Sequence, residues 1–168
     1  MGTGGLFFRK LRAKVADQPT GFVWVEKGRV AGSGYPASRA QVEWLVRSGV
    51  QGILSLTQEP LPDEWTRGLG VVVGHVAMED HEPPSVEAMD EGAGFIMNKV
   101  AEHRPVLVHC LAGEGRTGCV LAAYLIRTRN IGADEAMAEL RSLKPEFVER
   151  GQEGSVRAFA TMNAARMH

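Results

Sequence analysis

The chain has very little cysteine, two in 168 residues, at Cys110 and Cys119. That excludes the disulfide framework of a small secreted domain and fits a reducing, cytoplasmic setting. A charge excess is missing too. The formal net charge is −1 and the pI is near 6.5, so bulk electrostatics make this neither a nucleic-acid nor a membrane scaffold. No apolar run approaches a membrane span, and Leu6-Phe7-Phe8 is too short for a signal-peptide core. A myristoylation motif after Gly2 would need Ser or Thr where Leu6 stands. There is no internal repeat and no low-complexity segment. A hydrophobic content of 44% is enough for one domain to bury a core without metal or disulfide staples.

Residues 1–20 carry Arg9, Lys10, Arg12 and Lys14 against Asp17 and form a basic extension, with residues 21–168 as the domain proper. Phe7, Phe8, Leu11 and Val15 fall at helical spacing there. A helix packed on its own domain, a frayed end and a partner-binding segment are all compatible with that spacing.

Gly21 to Gly34 predicts a hairpin turning at Lys27-Gly28 and covering a sheet edge. Ser38 and Gln41 form a capping box for a helix that turns Val42, Leu45 and Val46 inward and ends at Ser48-Gly49. The runs Val50–Leu56 and Val71–Val73 read as strands covered on both faces, joined by a loop with one helical turn near Trp65. Ser85 caps a long helix with Val86, Met89, Ala93, Ile96 and Val100 on one side, which Gly92 and Gly94 weaken. A strand at Val106–Val108, a helix apolar nearly all round to Arg129, and a helix with Ala136, Met137, Leu140 and Leu143 inward follow. A last helix starts near Gln152. The alternation predicts an α/β domain: a mostly parallel central sheet, helices on both faces, and a site at the carboxyl ends of the strands.

The informative stretch is Val106-Leu-Val-His-Cys-Leu-Ala-Gly-Glu-Gly-Arg-Thr-Gly118, a strand, then a glycine-spaced loop, then a helix start. Gly113 and Gly115 permit backbone angles closed to other residues and let N–H groups turn inward to form a cup. The positive end of the following helix points at the same place, which suits a phosphoryl dianion. Arg116 adds a planar fork able to hold two phosphate oxygens. Cys110, on the floor of this field, is favoured as thiolate and so as nucleophile. Leaving oxygens need a proton, and Glu79, Asp80 and Glu82 lie in Met78-Glu-Asp-His-Glu-Pro-Pro-Ser85, a loop stiffened by two prolines. His109 ends a buried strand and braces the loop by hydrogen bonding. Thr117 either donates its hydroxyl to the sulfur or caps the helix. Cys119 reads as a small buried apolar residue, with pairing to an oxidised Cys110 as the alternative. His75, Glu79, Asp80 and His81 match no metal-ligand spacing, so neither metal nor other cofactor is assigned.

His109, Cys110, Gly113, Arg116 and Thr117 together resemble the His-Cys-x-x-Gly-x-x-Arg-Ser/Thr signature of the cysteine-dependent protein tyrosine phosphatases. The likeness runs from about Phe22 to about Phe159 and is nearest the small single-domain dual-specificity phosphatases of the VHZ type. It implies the three-layer fold of that superfamily, a phosphocysteine on Cys110, phosphate held by Arg116 and the loop His109, Leu111, Ala112, Gly113, Glu114 and Gly115, and Asp80, three residues before Pro83, as acid and then base. It also implies that Thr117 donates to the sulfur and that Gln152 orients the attacking water, although the segment from Pro145 is one residue short of the usual spacing and an exposed helix-start glutamine fits as well. The expected partners are a phosphorylated protein or peptide, and phosphate, vanadate or sulfate as site anions, with no nucleic acid, no membrane insertion and a monomeric state. Leu111, Ala112 and Glu114 are not basic, which disfavours phosphoinositides and triphosphate RNA. Phosphotyrosine, with phosphoserine or phosphothreonine besides, fits a shallow pocket. A phosphate-reading module without chemistry is the rival from another class.

Overall fold

Val106, Leu107 and Val108 are an unbroken apolar run, and all three are fully buried, because the strand they form has sheet on both edges and helices on both faces. The computed structural model describes residues 17–168. The basic stretch with Phe7, Phe8, Leu11 and Val15 lies outside them. The five strands are β1 (Val23–Glu26), β2 (Val30–Ser33), β3 (Gly52–Ser55), β4 (Val72–His75) and β5 (Val106–His109), in the order β1-β2-β5-β3-β4. Only β1 runs antiparallel to its neighbour. The predicted hairpin is therefore present, but of its two strands β1 alone lies at an edge; β2 is buried throughout and pairs with β5 from Val30–Val106 to Ser33–His109.

Helices α1 (Arg39–Arg47) and the single turn α2 (Asp63–Thr66) cover one face, burying Val42, Leu45, Ile53, Leu61 and Leu107. The other face is covered by α3 (Val86–Ala101), α4 (Gly115–Arg129), α5 (Ala133–Leu143) and α6 (Glu153–Arg166). Caps set the ends. Ser38 accepts from the Gln41 N–H, Ser85 accepts from the Ala88 N–H, and Asn130 closes α4 in the left-handed conformation at φ 52°. Gln41 returns its side chain to the Ala37 N–H, one residue earlier than a strict capping box.

Three expectations change. The Val71–Val73 run is not covered on both faces: β4 is the opposite edge, with alternating burial and Val73 at 37% exposure. Leu143, expected inward, is 43% exposed because it is the final residue of α5, where the chain turns away at Lys144. Gly92 is more than a weak point in α3. A Cβ there would stand 2.8 Å from Val120, so the glycine lets α3 and α4 approach closely.

Candidate active site

Four parallel strands end at the same side of the sheet, and β5 delivers His109 and Cys110 there. The chain then bends through Gly113, at φ 74°, into the first turn of α4. A side chain on Gly113 would overlap the Ser33 carbonyl, so both the angle and the space require glycine. Gly115 differs from expectation. It is helical, and its missing Cβ leaves room for Gln152, whose Oε1 would be 2.5 Å away.

Cys110 is 3% exposed, and two donors point at its sulfur: the Gly113 N–H at 3.3 Å and the Thr117 hydroxyl at 3.1 Å. Both stabilise an anionic sulfur. Among the described residues, the N–H groups of Leu111, Ala112, Glu114, Gly115 and Arg116 donate to no protein acceptor, which is the donor set an oxyanion needs. Leu111 is 60% exposed at the rim, and its carbonyl accepts from the Tyr35 N–H.

Arg116 is 4% exposed and reaches across to the acid loop, donating from Nη1 to the Met78 carbonyl at 3.0 Å and pairing from Nη2 with Asp80 Oδ1 at 3.1 Å. Of the three candidate acids, only Asp80 meets the loop's arginine. Among the described residues Glu79 makes no such contact, and Glu82 contributes its backbone carbonyl.

His109 is wholly buried. Its Nδ1 lies 3.1 Å from the Cys110 carbonyl, which can only accept, so Nδ1 carries the proton and Nε2 accepts from the Ser55 hydroxyl at 2.6 Å. Burial is the chief reason its pKa falls to about 4; the bond to the carbonyl opposes this, and the charges of Arg116 and His75 reinforce it. A neutral imidazole that ties β5 to β3 beneath the loop is a brace.

Gln152 is 1% exposed, so it is not an exposed helix-start glutamine. It closes the single 3-10 turn Arg150–Gln152. Its Nε2 donates to the Glu82 carbonyl at 3.2 Å, and its Oε1 accepts from the Cys119 thiol at 3.8 Å. Burial pushes that thiol up to about 12, with the Cys110 and Glu149 charges adding and Arg141 opposing, so Cys119 stays protonated.

The sequence reading gave no role at the site to three residues that lie beside it. His81, left-handed at φ 61°, stands 3.5 Å from both Asp80 and Glu149. Lys144 donates to the Gly113 carbonyl at 3.0 Å. Arg141 holds the backbone of Phe147 and Val148. No spacing in the chain points to the last two, because their partners are backbone atoms.

A mostly parallel sheet that feeds a buried cysteine into an amide-lined loop closed by arginine, with an aspartate opposite, is the architecture of the cysteine-based phosphatases. Residues 19–158 match the family described as PTP-SAK, Swiss Army Knife protein, DSP-PTPase phosphatase domain, and the chain belongs to that family. The crystal structure of Tk-PTP in the active form superposes with a TM-score of 0.76 at 30% identity, covering 83% of this chain and 96% of that one. PTPMT1 in complex with PI(5)P shares the fold, with a TM-score of 0.77 at 20% identity over 88% of this chain and 99% of that one. Among curated proteins, dual specificity protein phosphatase 12 of Rattus norvegicus is 28% identical over 131 residues, 77% of this chain and 39% of its own length. The tyrosine-protein phosphatase cdcA of Emericella nidulans is 29% identical over 108 residues, 64% of this chain and 18% of its own. The chain thus spans well under half of these two relatives.

Proposed function

We propose that residues 21–168 form a protein phosphatase that hydrolyses phosphotyrosine, and phosphoserine or phosphothreonine besides, through a phosphocysteine on Cys110. The observation that carries this is the convergence of the Gly113 N–H and the Thr117 hydroxyl on one sulfur, with Arg116 and Asp80 paired at 3.1 Å beside it. Phosphate entering the cup draws the Arg116 fork off Met78 and Asp80 and leaves Asp80 next to the leaving oxygen. The sulfur attacks phosphorus, the ester P–O bond breaks, and Asp80 gives its proton to the departing oxygen. Water then attacks the phosphocysteine. Asp80 takes its proton, Gln152 orients it, and the S–P bond breaks while Thr117 and the Gly113 N–H stabilise the released thiolate.

Leu111, Ala112 and Glu114 give the loop no cation for further phosphates, so protein substrates are favoured over lipids of the kind seen with PTPMT1. A panel of phosphopeptides, phosphoinositides and triphosphate RNA assayed in chelator separates these classes. The enzyme acts as a cytoplasmic monomer. Cys110→Ser is expected to abolish turnover of p-nitrophenyl phosphate and to keep vanadate binding. Turnover at the wild-type rate in that variant overturns the proposal.

A further inference from the structure

The phosphate loop is held from behind by the end of one helix. Gly113 and Glu114 are consecutive, and both carbonyls accept from donors that lie beyond the loop. The Gly113 carbonyl accepts from Lys144 Nζ at 3.0 Å, and the Glu114 carbonyl accepts from the Gly118 N–H at 2.9 Å and the Val148 N–H at 3.2 Å. A trans peptide sets its N–H opposite its C=O, and no peptide bond described here is cis. Turning the Gly113 carbonyl outward onto Lys144 therefore turns the Glu114 N–H inward, toward the space above Cys110. Glycine makes this orientation reversible, since a residue without Cβ least opposes rotation about its own ψ, which turns this peptide.

Lys144 is itself fixed in place. Its ammonium lies 5.4 Å from the Phe147 ring centroid and packs close against Gly21, where a Cβ would stand 2.7 Å from Nζ. Behind it, Arg141 donates to the Phe147 carbonyl at 3.0 Å and, at 2.7 Å, to both the Val148 carbonyl and Glu153 Oε1. Val148 is β-branched yet left-handed, at φ 61°. Such a residue persists only where its surroundings over-determine it. In that conformation its backbone crosses α4 at Gly118, where a Cβ would overlap the Val148 nitrogen, and its N–H reaches Glu114.

We propose that Lys144 is a positioning residue that keeps the phosphate loop in its anion-binding form, with Arg141 supporting it through the Phe147–Val148 strap. This rests on reading the loop as the phosphate site. Lys144 acts through the Gly113 peptide and not by touching the anion, so its effect falls on anion affinity more than on the chemical steps. The test compares wild type with Lys144→Met, Lys144→Arg and Arg141→Lys, reading inhibition by inorganic phosphate and vanadate, KM and kcat for p-nitrophenyl phosphate, and thermal unfolding. Lys144→Met should weaken phosphate and vanadate and raise KM by roughly fivefold to tenfold, with kcat and the melting temperature little changed, the size of one ordinary hydrogen bond's net contribution. Lys144→Arg should restore most of the affinity. Arg141→Lys keeps the charge but loses the fork, and should weaken phosphate as well. Equal phosphate affinity in wild type and Lys144→Met, or a loss that Arg does not restore, overturns the proposal. A wild type that binds neither anion overturns the phosphatase reading, and this inference with it.

Discussion

His109 makes the stability of this domain depend on pH in a way that can be isolated. Its folded pKa is about 4 against an ordinary value of 6.5. The unfolded chain therefore takes up a proton between those values that the folded chain refuses, and stability falls as pH drops through the window. The gap corresponds to roughly 3 kcal/mol in full, of which about 2 kcal/mol is lost between pH 7 and pH 5. Carboxylates titrate nearby, so the perturbation is His109→Asn. Its amide can still donate to the Cys110 carbonyl, but it cannot titrate. Urea unfolding of both proteins at pH 7, 6 and 5 measures the difference, and the carboxylates common to both cancel. Wild type should lose about 2 kcal/mol more than His109→Asn over that range. Equal slopes would refute the buried neutral imidazole and, with it, the Ser55–His109–Cys110 brace.

Gly113→Ala forces a left-handed alanine, at about 1–2 kcal/mol, against the Ser33 carbonyl; phosphate inhibition and p-nitrophenyl phosphate turnover should both collapse while circular dichroism still reports a folded domain. Asp80→Asn should lower kcat by roughly 10²- to 10⁴-fold for phosphotyrosine peptides and far less for substrates with a strongly acidic leaving group, which a leaving-group series reads directly. Gly92→Ala adds a methyl 2.8 Å from Val120. The overpacking, about 1–3 kcal/mol, outweighs the gain in helix propensity of about 1 kcal/mol, so the melting temperature should fall.

The loop was legible because its parts are contiguous: Cys110 to Thr117 carry the proposed nucleophile, the bend, the fork and the hydroxyl in one short stretch of chain. Asp80 was singled out through Pro83 by the family resemblance, and the structure sets its carboxylate against Arg116. What could not be read depends on contacts between distant positions. Ser55 and His109 are 54 residues apart and share a bond only because β3 and β5 run side by side in register. Lys144 and Arg141 act on backbone carbonyls, which leave no trace in residue identity. Periodicity found the inner faces of the helices but not where each face stops being covered, hence the exposed Leu143. Composition marked Val71–Val73 as strand, yet whether a strand lies at an edge is decided by pairing order. Propensity read Gly92 as a weakness, where packing against Val120 makes it a requirement.

The central claim is that the Cys110 sulfur takes the phosphoryl group. Rapid acid quench during turnover of p-nitrophenyl phosphate, followed by peptide mass analysis, tests it directly. The account predicts a phosphoryl group on the peptide that holds Cys110, absent in Cys110→Ser. A transferred phosphoryl group on any other residue, or full turnover with none trapped on that peptide, would contradict it.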